Sequence, residues 1–193
     1  MASIMRFDTL QNTAGAQALT VNAAGNVYIP GSVVQCQVKR TDTQLAYACS
    51  GTGTEFTDLR VSITPKFANS LILCQFQIFG EGGSGHDWTM KLFKNGSIPV
   101  GTYAGYNTIQ GNQVWSGITA PMVYESDYNS TPQTSTMLYH DFPGSTTAVT
   151  YAPGANQSGG SAWTYYVNRT VGSLGSGSYE VGVSFSIAWE IAQ

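Results

Sequence analysis

Two histidine–aspartate dipeptides contain both histidines of this 193-residue chain, and histidine is the side chain best suited to acid–base or metal chemistry at neutral pH. They are His86-Asp87 and His140-Asp141. Adjacent residues of a strand point to opposite faces, so neither dipeptide is a ready His–Asp relay. A shared site would need the fold to bring the two pairs together, and their spacing does not demand this. We therefore interpret them as surface or hydrogen-bonded histidines.

Paired carboxylates are the second possible source of chemistry, because glycan hydrolysis needs two of them about 5–10 Å apart. With eleven acidic residues, some pair will meet that distance by chance. The Gly-rich stretch 81–87 has neither the lysine nor the helix of a phosphate loop. No serine-nucleophile elbow is present. The sequence predicts no enzyme, no cofactor and no metal. The candidate carboxylates are Glu81, Asp87, Glu125, Asp127 and Asp141.

The three cysteines, Cys36, Cys49 and Cys74, are an odd number without close spacing. A disulfide framework and a zinc site are therefore not expected. Cys36 and Cys74 occupy alternating positions of strand-like runs, which predicts buried free thiols from a reducing compartment. The N-terminus lacks the apolar region of a secretory signal. No apolar run is long enough to span a membrane.

The low charge of the chain limits its partners. Charged residues make up 10%, against about 25% in an average soluble domain, and the net charge is −3. This excludes the basic footprint of a nucleic-acid-binding protein. The surface must consist mainly of Ser, Thr, Asn, Gln and Gly, a composition that suits extracellular or virion proteins.

Alternating apolar and polar residues separated by turn-forming clusters predict an all-β protein, a jelly-roll-like antiparallel β-sandwich. Residues 70–80 are apolar on both faces and predict a central strand. Asn95-Gly96 predicts a tight hairpin turn within 88–100. The other strand-like runs are 33–40, 56–65, 135–142, 146–152, 162–168 and the C-terminal segment.

The C-terminal segment alternates most regularly. Every second residue from Tyr179 to Ile191 is large and apolar, including Phe185 and Ile187, which predicts that this face is buried. The opposite face consists of small residues between two glutamates. Small residues allow another backbone to come close, so we expect this face to pack against another subunit or to form the floor of a groove. Its small residues are Gly182, Ser184, Ser186 and Ala188.

The first 32 residues differ from the rest. Residues 19–31 predict two short strands around a Gly turn, and the segment is too small to build its own core. We divide the chain into an N-terminal docking arm, 1–32, and a head, 33–193. The alternative is that 1–32 adds an edge strand to the sandwich.

Residues 101–131 are rich in aromatic, Asn, Ser and Gly residues, which is typical of recognition surfaces. The alternative is that these aromatic residues belong to the core and rim of the sandwich. They are Tyr103, Tyr106, Trp115, Tyr124 and Tyr128.

Several segments resemble a family of small virion proteins of tailed, often marine or cyanobacterial, phages. They are "DFPGSTTAVTYAPGA" (141–155), "SGGSAWTYYVNRT" (158–170) and "FTDLRVSITPKFANSLILCQFQIFG" (56–80). The opening Ser3–Thr13 and the unit Leu19–Val27 are also similar. The resemblance is weakest over 101–134, and its motifs are strand-and-turn patterns without catalytic residues.

The resemblance implies a homotrimer, made in the host cytoplasm and assembled into the virion, with a jelly-roll head and an arm that binds a capsid or tail protein. The interface expected around the threefold axis is the small-residue face of 182–188. A host surface glycan is a further expected partner, bound in 105–134. The arm residues expected to dock are Ile4, Phe7, Leu10, Leu19 and Val21.

The virion role is narrowed by what the chain lacks. A fibre shaft needs heptads or repeated β-structure, and the sequence has neither. Capsid decoration is therefore favoured over a receptor-binding tip or short tail fibre. A carbohydrate-binding module and a polysaccharide depolymerase remain the further alternatives.

Overall fold

The structure is a computed structural model. It describes residues 8–15, 17–49, 53–84, 86–99, 117–121, 130–157, 163–172 and 179–193. These ranges contain thirteen strands, joined by antiparallel pairing, and one 3₁₀ turn at Thr57–Leu59. The all-β prediction is confirmed. Among the described residues no helix is long and apolar enough to cross a bilayer.

The strands are β1 (Thr9–Gln11), β2 (Gln17–Val21), β3 (Val27–Tyr28), β4 (Val33–Thr41), β5 (Leu45–Cys49), β6 (Thr54–Glu55), β7 (Val61–Ile63), β8 (Leu71–Gly82), β9 (Trp88–Lys94), β10 (Gln133–Asp141), β11 (Val149–Gln157), β12 (Trp163–Val167) and β13 (Ser184–Ile191).

A six-stranded sheet is built around β8, in the order β4-β13-β8-β12-β5, with β10 also paired to β8. β13 and β10 cover the same stretch of β8, so they lie along its opposite edges. The N-terminal half of β8 is thus the centre of four neighbouring strands, β4-β13-β8-β10. The prediction of a central strand at 70–80 is confirmed.

A four-stranded sheet, in which β11 pairs with β6, β7 and β9, supplies the second layer. The turn after β9 forms where it was predicted: Asn95 and Gly96 both have positive φ, 51° and 78°. The backbone groups of Lys94 and Ser97 exchange hydrogen bonds of 2.7 and 3.0 Å across this turn. Positive φ at both central positions is the geometry of a primed hairpin turn.

The core lies between these sheets, as in a β-sandwich. Aromatic rings from both layers meet in it: Tyr165 stacks on Phe56 at 5.4 Å between ring centroids and contacts the edge of Trp88 at 5.3 Å. From β8, Ile72, Cys74, Phe76 and Ile78 are completely buried. Their spacing of two residues places all four on one face of the strand.

The segment 56–65, predicted as one strand, is a 3₁₀ turn followed by β7. Phe56 and Leu59 are both fully buried. Residues three apart in a strand would point to opposite faces, and the turn brings both side chains into the core. Asp58 holds the turn, because its carboxylate accepts a hydrogen bond of 2.7 Å from the Tyr47 hydroxyl.

β1, β2 and β3 form a sheet of their own, separate from the sandwich sheets. It contacts the sandwich through Tyr28, whose ring meets the edge of Phe67 at 5.1 Å. The Gly31 amide donates a hydrogen bond of 2.8 Å to the carbonyl of Ala192, just beyond β13. The division at residue 32 and the jelly-roll connectivity stay predictions.

Candidate functional site

The terminal strand has the opposite orientation to the one its sequence predicted. Ser184, Ser186 and Ala188 are completely buried within the single chain. Phe185 and Ile187 lie on the other face and are half-buried. The prediction that the small residues contact another subunit is therefore wrong for these three positions. Gly182 is half-buried and packs against the Phe79 ring.

The reason is the close approach of another layer of the same chain. The Ser186 hydroxyl donates a hydrogen bond of 2.6 Å to the carbonyl of Leu59, the last residue of the 3₁₀ turn. A contact this short between a strand side chain and a backbone carbonyl leaves no room for a larger residue. Small residues do admit a second backbone here, as the pattern suggested, but that backbone belongs to the same sandwich.

The Asn168 side chain forms hydrogen bonds with the end of β4 and with the start of β13 at Ser184. Its amide nitrogen donates to the carbonyls of Thr41 and Thr43, both at 2.9 Å. Its amide oxygen accepts a hydrogen bond of 2.6 Å from the Ser184 hydroxyl. Asn168 is completely buried, with a φ of 62° that asparagine tolerates better than most residues. This residue therefore has a structural role that its sequence context did not signal.

Glu190, also fully buried, fixes the loop that meets the N-terminal sheet. One carboxylate oxygen accepts hydrogen bonds from the amides of Lys66 and Phe67, at 2.8 and 3.0 Å, and from the Ser70 hydroxyl at 2.7 Å. The other accepts a 2.6 Å bond from the Gln35 amide. Because Phe67 contacts Tyr28 of β3, Glu190 positions the loop residue on which that sheet rests.

The N-terminal sheet presents part of the predicted docking surface. Leu10 is 53% exposed, whereas Leu19 and Val21 are half-buried. Ile4 and Phe7 lie outside the described residues. Where this sheet meets β4, a cleft of about 440 Å³ is lined by residues that include Val27, Ile29, Val33 and Lys66. Three exposed apolar residues of this mixed lining, Val27, Ile29 and Val33, make the junction a candidate docking surface.

A second apolar surface covers the outside of the four strands β4-β13-β8-β10. Directly opposite residues of paired strands point to the same face. The register therefore puts Val38, Ile187, Gln75 and Leu138 in one row across the sheet. The neighbouring row is Cys36, Trp189, Leu73 and His140. We call this surface the outer face. It extends from the row that contains Phe185 and Gln77 to the row that contains Ile191 and Leu71.

The outer face also corrects the prediction for β4. Cys36 was expected to be buried, yet it is exposed, and Val38 on the same face is 61% exposed. β4 is an edge strand of its sheet, and these side chains face away from the second layer. Cys49 and Cys74 are buried as core residues, and burial raises the pKa of Cys49 to about 12.

The histidine–aspartate pairs do not meet in one site. Asp87 lies 3.9 Å from the Nδ1 atom of His86, and both side chains are well exposed. The Asp141 carboxylate instead forms a salt bridge with Lys94, at 2.5 Å, and accepts a hydrogen bond of 2.6 Å from the Tyr151 hydroxyl. His140 points to the outer face, away from Asp141. In the part of the chain that the structure describes, no three His, Cys, Asp or Glu side chains form a group that could hold a metal ion.

Among the carboxylates considered for glycan chemistry, Glu81 is buried and serves the backbone. It accepts hydrogen bonds from the Thr131 amide at 2.9 Å and from the Val171 amide at 2.7 Å. Such bonds anchor the two loops over the end of β8. Glu125 and Asp127 lie outside the described residues, as do all five aromatic residues of the predicted recognition surface, Tyr103, Tyr106, Trp115, Tyr124 and Tyr128.

No protein-family model and no curated protein matches the chain. Function must therefore be inferred from the two apolar surfaces. The outer face had one signal in the sequence, because β8 is apolar on both sides: Leu71 and Leu73 alternate with Ile72 and Cys74. A strand with two apolar faces predicts two packed faces. Neither Glu190 nor Asn168 had a comparable signal, since each depends on loops distant in sequence.

Proposed function

We propose that the protein is a non-enzymatic structural component of a tailed-phage virion, a homotrimeric capsid decoration protein that docks through its N-terminal strands. The observation that carries the proposal is the separate sheet β1-β2-β3, which leaves Leu10, Val27 and Ile29 exposed. Three short strands without a core of their own gain stability from a partner that covers such residues. We assign that partner to the capsid.

Two further features support a structural role. The low charge gives a surface rich in neutral polar residues, which resists adventitious ionic contacts on an exposed particle. The sandwich is held by buried polar anchors, Glu190, Asn168 and Ser186, whose hydrogen bonds are all made within the chain. Such side chains are occupied in maintaining the fold, which agrees with a rigid body presented on a particle. The resemblance to small phage virion proteins points to the same role.

The experiment is to measure the copy number of the chain in purified particles of the phage that carries its gene. Quantitative gel densitometry against the major capsid protein should give a copy number comparable with that protein. A few copies, located at the tail, would contradict decoration and favour a receptor-binding tip. Release of reducing ends from host polysaccharide by the purified chain would contradict the non-enzymatic assignment and favour a depolymerase.

Docking is tested separately with Leu10→Glu. We expect this variant to keep the melting temperature of the wild type, because Leu10 is exposed on β1. It should bind particles lacking the protein at least about tenfold more weakly, since a carboxylate would enter an apolar contact. The matched control is Val181→Glu, an equivalent change at a 59% exposed position outside both the N-terminal sheet and the outer face. If both variants bind equally well per subunit, β1 is not the docking element.

A further inference from the structure

The outer face of the sandwich consists largely of apolar side chains in contiguous rows. Val38 and Leu138, at its two edges, are 61% and 62% exposed, and Phe142 beyond the end of β10 is 58% exposed. Between them lie the half-buried side chains of Ile187, Trp189 and Leu73. Ordinary exposed hydrophobic residues are scattered singly, whereas these are neighbours across four strands.

The size of this face suits a protein interface. Four strands about 4.8 Å apart, each presenting four outward residues about 6.7 Å apart, cover roughly 400–500 Å². The largest apolar patch of an ordinary monomer is about 300–600 Å², and such patches are often functional. A standard interface takes about 800 Å² from each partner, including a polar rim. The outer face thus supplies the apolar centre of an interface of that class.

The composition of the face favours a second copy of the chain. Its four rows contain no acidic residue and a single Arg or Lys, Arg40, which lies opposite Phe185 at the border of the face and is paired with Asp42 at 3.4 Å, so two such faces would bring no carboxylates together. Gln75 and Gln77 place neutral donors and acceptors among the apolar side chains, and these can pair with their own counterparts. Sheet faces pack about 10 Å apart through interdigitating side chains, as the two sheets of this sandwich already do.

Pairing through the free edge of β4 is disfavoured in comparison. β4 lies at one edge of its sheet, and its second half carries Lys39 and Arg40, both exposed. Lys39 lies directly opposite Ser186, which faces the second layer, so the Lys39 side chain is on that same face of β4. A strand added to this edge would place its own inward-facing residues beside that charge. Charged residues at such positions are a common protection against strand addition. On the outer face the only Lys or Arg of the four rows is Arg40, at the border opposite Phe185.

We infer that copies of this chain associate through the outer face of β4-β13-β8-β10. The inference deepens the proposed function, because the expected number of three copies rests on that proposal. It places the subunit contact on the opposite face of β13 from the face that the sequence predicted. In a trimer the three outer faces would surround the threefold axis, each contacting a different part of the next copy, with Ile187 and Trp189 in the contact, whereas a face packed on its own counterpart would close a dimer.

The first test is the mass of the full chain by light scattering and sedimentation equilibrium over about 1–100 µM, a range that spans ordinary oligomer affinities. Wild type should self-associate. Leu138→Glu and Val38→Glu should weaken association at least about tenfold, because each buries a carboxylate against an apolar face. Leu10→Glu, the same substitution on the N-terminal sheet, should leave the mass unchanged.

Cys36 provides a second readout without any substitution, because it is the one exposed cysteine of the three and lies on the outer face beside Trp189. Its reaction with a maleimide should slow as wild-type protein associates and should stay fast in Leu138→Glu. Cys49 and Cys74 are buried and should remain unlabelled in both.

Several results would overturn the inference. One is a wild type that stays monomeric throughout the range. Another is a Leu138→Glu variant that keeps the wild-type mass and the wild-type labelling rate. Unchanged mass with a large loss of stability would mean that a segment of the same chain covers the face. A dimer that Leu138→Glu dissociates would support the face but contradict the trimer. The copy number in particles is measured independently, so failure of this interface is distinguishable from failure of the virion role.

Discussion

The orientation of β13 makes a prediction that is the reverse of the one its sequence suggests. Ser186→Leu places an apolar residue on a strand of a sandwich, and Ile187→Ser removes one. We expect the first change to destabilise the protein strongly and the second only slightly. The reason is that Ser186 is completely buried beside the 3₁₀ turn, whereas Ile187 is half-buried on the outer face.

The magnitudes follow from the contacts of each residue. Leucine at 186 overpacks the site, at about 1–3 kcal/mol. It also removes the 2.6 Å hydrogen bond to the Leu59 carbonyl, and an acceptor left without a partner costs about 1–3 kcal/mol more. The sum is roughly 2–6 kcal/mol of unfolding free energy. Complete burial of an isoleucine stabilises by about 1.5–3 kcal/mol, so loss of a half-buried one should cost roughly 1 kcal/mol.

Urea unfolding followed by tryptophan fluorescence measures both changes, at a protein concentration where the chain is monomeric. Ser186→Ala separates the two contributions, because it removes the hydrogen bond without overpacking. Ser62→Leu is the matched control, since Ser62 is exposed on β7, and it should change the stability little. The reasoning is refuted if Ser186→Leu is as stable as wild type while Ile187→Ser loses several kcal/mol.

Three more predictions concern buried polar groups. Asn168→Gly keeps the positive φ but removes three side-chain hydrogen bonds, so it should lower the unfolding free energy measured in urea by about 2–4 kcal/mol. Asn168→Ala should lower it by about 1 kcal/mol more, because alanine disfavours a positive φ. Equal stability of both variants and wild type would exclude a structural role for the Asn168 side chain. Glu190→Gln turns an acceptor of the Gln35 amide into a donor and should cost about 1–3 kcal/mol, with Gln35→Ala less damaging in that background than in wild type. Purely additive losses would argue against this pairing. Because burial raises the pKa of Cys49 from 9.0 to about 12, the unfolded thiol ionises first, and the unfolding free energy should fall as the pH rises from 9 to 12. Cys49→Ala should reduce that fall by about 1.4 kcal/mol per pH unit, and an unchanged slope would contradict the burial of this thiol.

The sequence was sufficient to predict the elements that depend on local chemistry. The alternation of apolar residues marked β8, β10 and β13 as strands, and Asn95-Gly96 marked the one tight turn after β9. Both signals act over a few residues, through the two-residue repeat of a strand and the positive φ that Asn and Gly tolerate. β6, only two residues long, lacked such a signal, and β5, in which Leu45, Tyr47 and Cys49 alternate with alanines, was missed although it carries one. The 3₁₀ turn at 57–59 was also missed, because only the core explains why Phe56 and Leu59 must both point inward.

Only the tertiary structure decided which face of each strand lies inside. The alternation in β13 required two different faces, and the sequence suggested that the larger residues would be buried. Burial depends instead on the space left by the surrounding chain: the turn at Leu59 approaches so closely that only a residue as small as Ser186 fits beneath it, and Ser184 is enclosed by Asn168. The large residues of β13 therefore lie on the outer face. The two-residue period of the sequence predicts a strand, but which of its faces is buried depends on the layer that packs against it.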